Sequence, residues 1–261
     1  MKRIVVKLGT GVLAKPGGRS LDVDQFRRLT AEFAELVAEG HSVIVVSSAA
    51  ITAGVGALGL PERPTDLPGK QACAAIGQPL LIREFARHLG RSDLQPAQML
   101  VTHDDIDSRK RRTNVRNTLE RILAAKSVVP IFNENDTVAV EELNFGDNDR
   151  LSAEVALLVE ADQLIICTSA DGVLDAERRR VPVIKDIDAA FALVLPEKGA
   201  NSVGGMAAKL TAVKIAVTGG VNTTIIDGRL PGGVTGAARG EDVGTRFPAP
   251  PRRSRKPVPV P

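Results

Sequence analysis

The chain has 261 residues, 43% hydrophobic and 25% charged, a balance that suits a globular protein with a sizeable core. Its formal net charge is only +3, part of it in the basic stretch 252–256, so the body is near neutral, which argues against a broad electrostatic surface for nucleic acid. With seven Phe and neither Trp nor Tyr, few rings are available to stack bases.

Met1-Lys2-Arg3 leads straight into a β-branched run, 4–8, too short for a signal or membrane helix. The run reads as a strand that carries Lys7 near its end and feeds a tight glycine turn at Gly9-Thr10-Gly11. Residues 22–39 place Phe26, Leu29, Phe33, Leu36 and Val37 at helical spacing, and Gly40 closes the helix. A second strand, 42–46, runs into Ser47-Ser48 and a series of small residues up to Gly59. Serines at a strand end before a helix offer backbone N–H groups to an anion. A proline-rich loop, 61–68, precedes an alanine-rich helix, 70–89. Residues 97–101 form a strand, 102–107 a polar connection, and 109–126 a helix with the basic first turn Arg109-Lys110-Arg111-Arg112. That cluster reads as a solvated helix turn, and a nucleic-acid role resting on it and the tail is set aside.

The apolar run 127–132 enters the most polar stretch of the chain, 133–149, with the sequence NENDTVAVEELNFGDND. A helix, 150–159, leaves it. Strand, polar loop and helix in that order put the acids at the carboxyl end of a sheet, where open α/β folds bind ligands. On its own composition the stretch equally suits a solvated hairpin, and its middle, 141–145, reads as a hairpin tip. Residues 163–167 form a strand ending in Thr168-Ser169, with a turn at Asp171-Gly172. Residues 181–187 suit a hairpin arm, 199–205 a glycine-containing loop, 206–218 a helix, and 221–226 the last clear strand. From Gly228 the chain reads as loop-rich, and from Phe247 onward as a proline- and arginine-rich tail with little capacity to fold.

Strands and helices alternate, which implies an α/β fold with a mainly parallel sheet covered on both faces. A single domain over 1–247 with a disordered tail, 248–261, is the economical division. Cys73 and Cys167 fall in apolar contexts without metal spacing, as buried thiols of a reducing, cytoplasmic compartment do. No His, Cys or carboxylate cluster has zinc spacing, and no residue is assigned as a metal ligand. Neither Ser47 nor Ser48 has a histidine with a claim to be its base, so a hydrolase triad is poorly supported. The Walker and Rossmann glycine patterns are both missing from the sequence.

Lys7 with its glycine turn, Ser47-Ser48, the acidic stretch and Thr168-Ser169 all fall at carboxyl ends of predicted strands. Val203-Gly204-Gly205-Met206-Ala207-Ala208-Lys209 precedes a helix. Together these suit nucleotide-dependent phosphoryl transfer: glycine loops hold phosphate oxygens, lysines neutralise the transferring group, and carboxylates orient lysines and help hold Mg²⁺.

At these residues the chain resembles the kinase domain of the glutamate 5-kinases, in the amino-acid kinase superfamily. The resemblance runs from Val5 to about Phe247. It is carried by VVKLGTGVL at the start, KQACAAIGQ at 70–78, QMLVTHDD at 98–105, and above all NENDTVA with GDNDRLSA. It implies a three-layer α/β/α sandwich, and phosphorylation by ATP of the γ-carboxylate of L-glutamate, the first step of proline synthesis. It also implies a homo-oligomer and a reductase that consumes the labile acyl phosphate, with neither nucleic acid nor membrane as partner. Carried over by position, Lys7 and Lys209 match the phosphate-binding lysines, and Asp149 the carboxylate that positions them. Ser48, Asp136 and Asn148 match the amino-acid ligands. Gly9, Thr168, Ser169, Gly204 and Gly205, with Lys7 and Lys209, fall on the ATP side. The RNA-binding-like module that many bacterial members carry has no counterpart in the 261 residues.

Four departures stand out: Ala49 replaces a glycine after the second strand, Ser169 replaces an acid, Gly172-Val173-Leu174 replaces Gly-Leu-Tyr, and Ser202-Val203 replace Gly-Thr in the phosphate loop. Two readings therefore stand beside the glutamate kinase. Ala49 suits a paralogue acting on another amino acid. Ser169, Ser202 and Val203 suit a regulatory subunit that keeps the amino-acid pocket without efficient ATP use.

Overall fold

A computed structural model of the chain describes residues 1–139, 147–193 and 205–250, without the side chain of Asp147. Its organising element is β1 (Arg3–Leu8), which is buried on both faces as parallel strands are. Side chains alternate along it. Ile4, Val6 and Leu8 point into one core cluster, and Val5 into the other. Lys7 shares the parity of Val5.

Six parallel strands and one antiparallel strand form a single sheet in the order β3-β4-β2-β1-β5-β6-β7. They are β2 (Ser42–Ser47), β3 (Gln95–Val101), β4 (Val128–Glu134), β5 (Gln163–Thr168), β6 (Asn222–Asp227) and β7 (Thr245–Phe247). Register aligns the ends: Leu8 sits opposite Ser47 on one side and Cys167 on the other, and Thr168 opposite Asp227. The segments leaving β1, β2, β4, β5 and β6 therefore emerge along one edge.

Helices cover both faces. One core cluster takes in α6 (Arg109–Ala124), α7 (Asp147–Leu158) and α9 (Met206–Thr218), and the other α2 (Val23–Ala38), α4 (Leu67–Leu89) and α10 (Gly233–Arg239). The three-layer sandwich expected from the resemblance is the observed one. Phe26 of α2 meets Phe85 of α4 edge to face, with centroids 5.0 Å apart.

Several local expectations are corrected. The glycine turn after β1 closes a helical turn, α1 (Thr10–Leu13), and the small residues after Ser48 form α3 (Ala50–Ala57). The polar segment 102–107 contains α5 (His103–Asp107), started by a capping box in which Thr102 and Asp105 satisfy each other's backbone donors. The segment 181–187 forms no regular strand: the antiparallel bridge of Leu174 with Arg180 lies just before it, Val183 makes an isolated bridge with Arg246, and Ile187 opens α8 (Ile187–Leu193). The chain beyond Gly228 is not all loop: it forms α10 and β7. Glycines hide α10 in the sequence, because its stability comes from α2. Glu32, buried there, accepts from the N–H groups of Val234 at 2.9 Å and Thr235 at 3.2 Å. The proposed hairpin tip 141–145 and most of the loop 199–205 lie outside the described residues.

α3 and α4 pack closer than side chains allow. A Cβ on Gly77 would lie 1.8 Å from the Ala50 carbonyl oxygen, and one on Gly54 1.9 Å from that of Cys73. Gly77→Ala must part these helices, an overpacking that costs about 1–3 kcal/mol or more. Thermal denaturation is expected to show Tm lowered by roughly 5 °C or more for a chain of this size. Gly90→Ala, whose added Cβ meets nothing within 4 Å, is the control and leaves Tm nearly unchanged.

Candidate active site

The parity of β1 decides where the Lys7 ammonium goes. It leaves the sheet on the face covered by α7 and α9, and the first turns of those helices bring Asp149 and Lys209 to it. Asp149 of α7 is 1% exposed and its Oδ1 lies 2.7 Å from Lys7 Nζ. Lys209 of α9 approaches the other oxygen, with Nζ 3.3 Å from Oδ2. One carboxylate thus spans two ammonium groups, all three residues less than a tenth exposed. Buried charges persist where they are paired, and among the described residues two lysines face one carboxylate here, an arrangement that suits a further negative group.

A second group of polar atoms abuts the first, because Asn148 precedes Asp149. Asn148 Nδ2 donates to Ser48 Oγ at 3.1 Å and to Asn133 Oδ1 at 3.2 Å. Asn133 sits near the end of β4, and Ser48 just past β2, so three elements converge here. Asn148 Oδ1 and Asn133 Nδ2 are buried without a hydrogen-bond partner among the described residues. Buried amide groups are rarely left so, and one free acceptor beside one free donor suits a small polar ligand. Asp136 lies half-buried in the turn after β4. Arg63, exposed in the proline-rich loop, lies within electrostatic range of Asp136: desolvation lowers its pKa from the ordinary value and the Asp136 charge raises it.

The glycine turn flanks the lysines. A Cβ at Gly9 would be 3.7 Å from Lys7 Nζ, so the missing side chain keeps that approach open. Thr168 ends β5, and the exposed Ser169 follows it on the same edge of the sheet. Gly205 is the N-cap of α9, one turn before Lys209. Gly204, Ser202 and Val203 lie outside the described residues. The structure therefore gathers Lys7, Gly9, Asp149 and Lys209 in one group, and Ser48 and Asn148 in the adjoining one. Asn133 joins the site without being singled out by the sequence. Asn133 has a signal there, since it opens the NENDTVA motif. Ala49 takes φ +77°, ψ 6°, a left-handed conformation uncommon for any residue but glycine, and its methyl belongs to the core cluster that includes Leu81 and Phe85. Among the described residues no group of three or more His, Cys, Asp or Glu could hold a metal ion.

Comparison with known proteins follows the same lines. The amino acid kinase family model matches residues 2–227. The glutamate 5-kinase of Geobacter sp. (strain M21) is 44% identical over 254 residues, covering 95% of this chain and 68% of that protein. Those of Myxococcus xanthus and Thermus thermophilus are 40% and 41% identical, over 98% and 95% of this chain and 69% and 68% of their own lengths. Among solved structures, N-acetylglutamate synthase from Neisseria gonorrhoeae, complexed with coenzyme A and L-arginine, superposes with a TM-score of 0.66 at 15% identity. The match covers 95% of this chain and 61% of the synthase, and at that identity it speaks to the fold alone.

The bridging carboxylate can be tested without turnover. Asp149→Asn strips two buried ammonium groups of their counterion, a change that costs about 3–5 kcal/mol in comparable buried pairs. Urea unfolding is expected to show a loss of that order. Adding Lys209→Met to Asp149→Asn should recover part of it, because the two effects share one interaction and are not additive.

Proposed function

The chain belongs to the amino acid kinase family, and from its kinship with the glutamate 5-kinases we propose that it transfers the γ-phosphoryl group of ATP to the γ-carboxylate of L-glutamate. The products are glutamyl 5-phosphate and ADP. The observation that carries this reading is Asp149 held between Lys7 and Lys209.

The chemistry asks for alignment more than activation. A carboxylate of ordinary pKa, about 4.3, is already ionised at neutral pH, so no general base is required. Its oxygen forms a bond to the γ-phosphorus as the bond from that phosphorus to the β–γ bridging oxygen breaks. Negative charge grows on the transferring group and on the departing ADP. Lys7 and Lys209 are the groups proposed to meet it, preoriented by Asp149 so that little reorganisation accompanies the step. Ser48, Asn148 and Asp136 are proposed to hold glutamate, with Asp136 the natural partner of its ammonium group and the unpaired Asn148 Oδ1 a second acceptor for it. Gly9, Thr168, Ser169, Gly204 and Gly205 are proposed for the nucleotide side.

Mg²⁺ fits this arrangement as a companion of ATP. Asp149 is committed to two lysines, and Mg²⁺ keeps several waters and binds readily through substrate phosphates with few protein carboxylates. Bound there, it would neutralise phosphate charge. We extend the proposal to a kinase domain of residues 1–247, which takes in β7, followed by a tail. It also extends to a homo-oligomeric assembly in the cytoplasm, acting in proline synthesis. An acyl phosphate hydrolyses readily, so a reductase is the class of enzyme that would consume it. No described helix is long and apolar enough to cross a membrane.

The regulatory-subunit and paralogue readings are not favoured by the relatives, which carry the glutamate 5-kinase name across nearly the whole chain. Nor does Ala49 favour a different substrate, since its methyl packs in the core. Ala49→Gly is therefore expected to leave the glutamate KM within about twofold, less than the roughly 1.4 kcal/mol of a tenfold change. A tenfold fall would point to a methyl that crowds the substrate.

The reading itself is tested with glutamate, ATP and Mg²⁺, trapping the acyl phosphate as hydroxamate. Product is expected from the wild-type chain, and a loss of about 10²–10³ in kcat from Lys7→Ala or Lys209→Ala, the usual effect of removing a group that stabilises transition-state charge. Absence of hydroxamate at saturating substrates overturns the proposal.

A further inference from the structure

Arg229 has no role in the reaction as described, yet it reaches the phosphate-side turn. It follows β6 on the edge of the sheet where the site lies, and its N–H donates to Asp227 Oδ1 at 2.9 Å. Its Nη2 donates to the Gly11 carbonyl oxygen at 2.6 Å, across 218 positions of sequence. Gly11 belongs to α1, a helix of four residues. A helix so short has no following turn to occupy its carbonyls. Thr10 gives its oxygen to the Ala14 N–H at 2.9 Å, and Leu13 gives its own to the Asp22 N–H at 2.8 Å. At Gly11 the guanidinium stands in for the missing helical donor, and a cation at this end also suits the helix dipole.

The loop that carries Arg229 is firmly mounted. Gly228 N–H donates to the Thr168 carbonyl at 2.8 Å. A Cβ on Gly228 would lie 2.6 Å from Cys167 Cβ and 2.7 Å from Val12 Cγ2, so β5, this loop and α1 meet with no space between them. From the far side, Arg28 of α2 donates to the carbonyls of Gly228 and Leu230 while paired with Glu32 at 2.6 Å. Beside the packing of Val12 and the Leu13–Asp22 hydrogen bond, Arg229 thus adds one charged tie between α1 and this fixed support. Gly9, two residues before Gly11, stands beside Lys7 Nζ.

We infer that Arg229 is a positioning residue for the nucleotide: by holding the Gly11 carbonyl it sets the Gly9–Gly11 turn next to Lys7 in the geometry that receives the ATP phosphates. The inference rests on the kinase reading above. Arg229 itself is exposed, so its removal leaves the core intact.

The test compares wild type, Arg229→Ala and Arg229→Lys by calorimetry with Mg²⁺ and a non-hydrolysable ATP analogue, by the KM values for ATP and glutamate, and by Tm. Arg229→Ala is expected to weaken nucleotide binding and raise the ATP KM about tenfold, the effect of losing one charge-assisted hydrogen bond. The glutamate KM and Tm stay near wild type, and Arg229→Lys, with a single-point donor, recovers part of the loss. Nucleotide affinity within twofold of wild type for Arg229→Ala overturns the inference. So does an equal loss for both substrates accompanied by a lower Tm, which marks a merely structural contact. A wild-type chain that binds no nucleotide overturns the kinase reading first, and this inference with it.

Discussion

One buried carboxylate, Asp149, holds two ammonium groups that would otherwise repel each other inside the protein. Everything around it follows from that constraint. Lys7 must stand on the same face of the sheet as α7 and α9, which fixes the parity of β1. Asp149 must lie in the first turn of α7, and this puts Asn148 beside Ser48 and Asn133. The charge centre and the amide pocket are therefore not two sites that happen to be close. They are built on consecutive residues of one helix, and the proposed carboxylate and phosphate sites are brought together by the spacing of a single peptide unit.

The fold is largely readable from the sequence where burial is two-sided. Strands such as 42–46 and 163–167 are short apolar runs with few competing interpretations, and alternation with amphipathic helices predicts the layered architecture. Harder to see are elements whose stability comes from elsewhere. α10, GVTGAAR, carries two glycines and a threonine among its seven residues, and its start is held by Glu32, some two hundred positions earlier in the chain. β7 is three residues long and exists because β6 offers it an edge. α5 looks like a polar connection because a capping box and an acidic first turn resemble loop chemistry until the backbone is seen to bend.

The candidate site divides in the same way. Lys7, Asp149 and Lys209 can be picked out as lysines and a carboxylate at element ends, but only together with a family pattern. Nothing in their spacing, which spans most of the chain, says that they meet. Asn133 hides in a motif whose acids draw more attention than its amides. Ala49 can be identified as a departure, but its consequence cannot: the backbone keeps the left-handed turn a glycine would take, and the added methyl is turned into the core. The tight α3–α4 contact through Gly54 and Gly77 belongs to the same region, so the serine end of β2 is framed by two helices with almost no slack.

The alternation along β1 has one more consequence. A strand whose side chains repeat every two residues cannot slip by one without exchanging its faces. Such a slip would bury Lys7 among Ile165, Val45 and their neighbours, and at the same stroke remove it from Asp149. Folding fidelity and competence are thereby read from the same ruler. A chain that pairs its central strand wrongly is not a weaker version of the protein but an inert one. It strands an ammonium group in an apolar layer while Asp149 keeps Lys209, and the cost of that one unmatched charge drives the misregistered chain back toward the correct pairing.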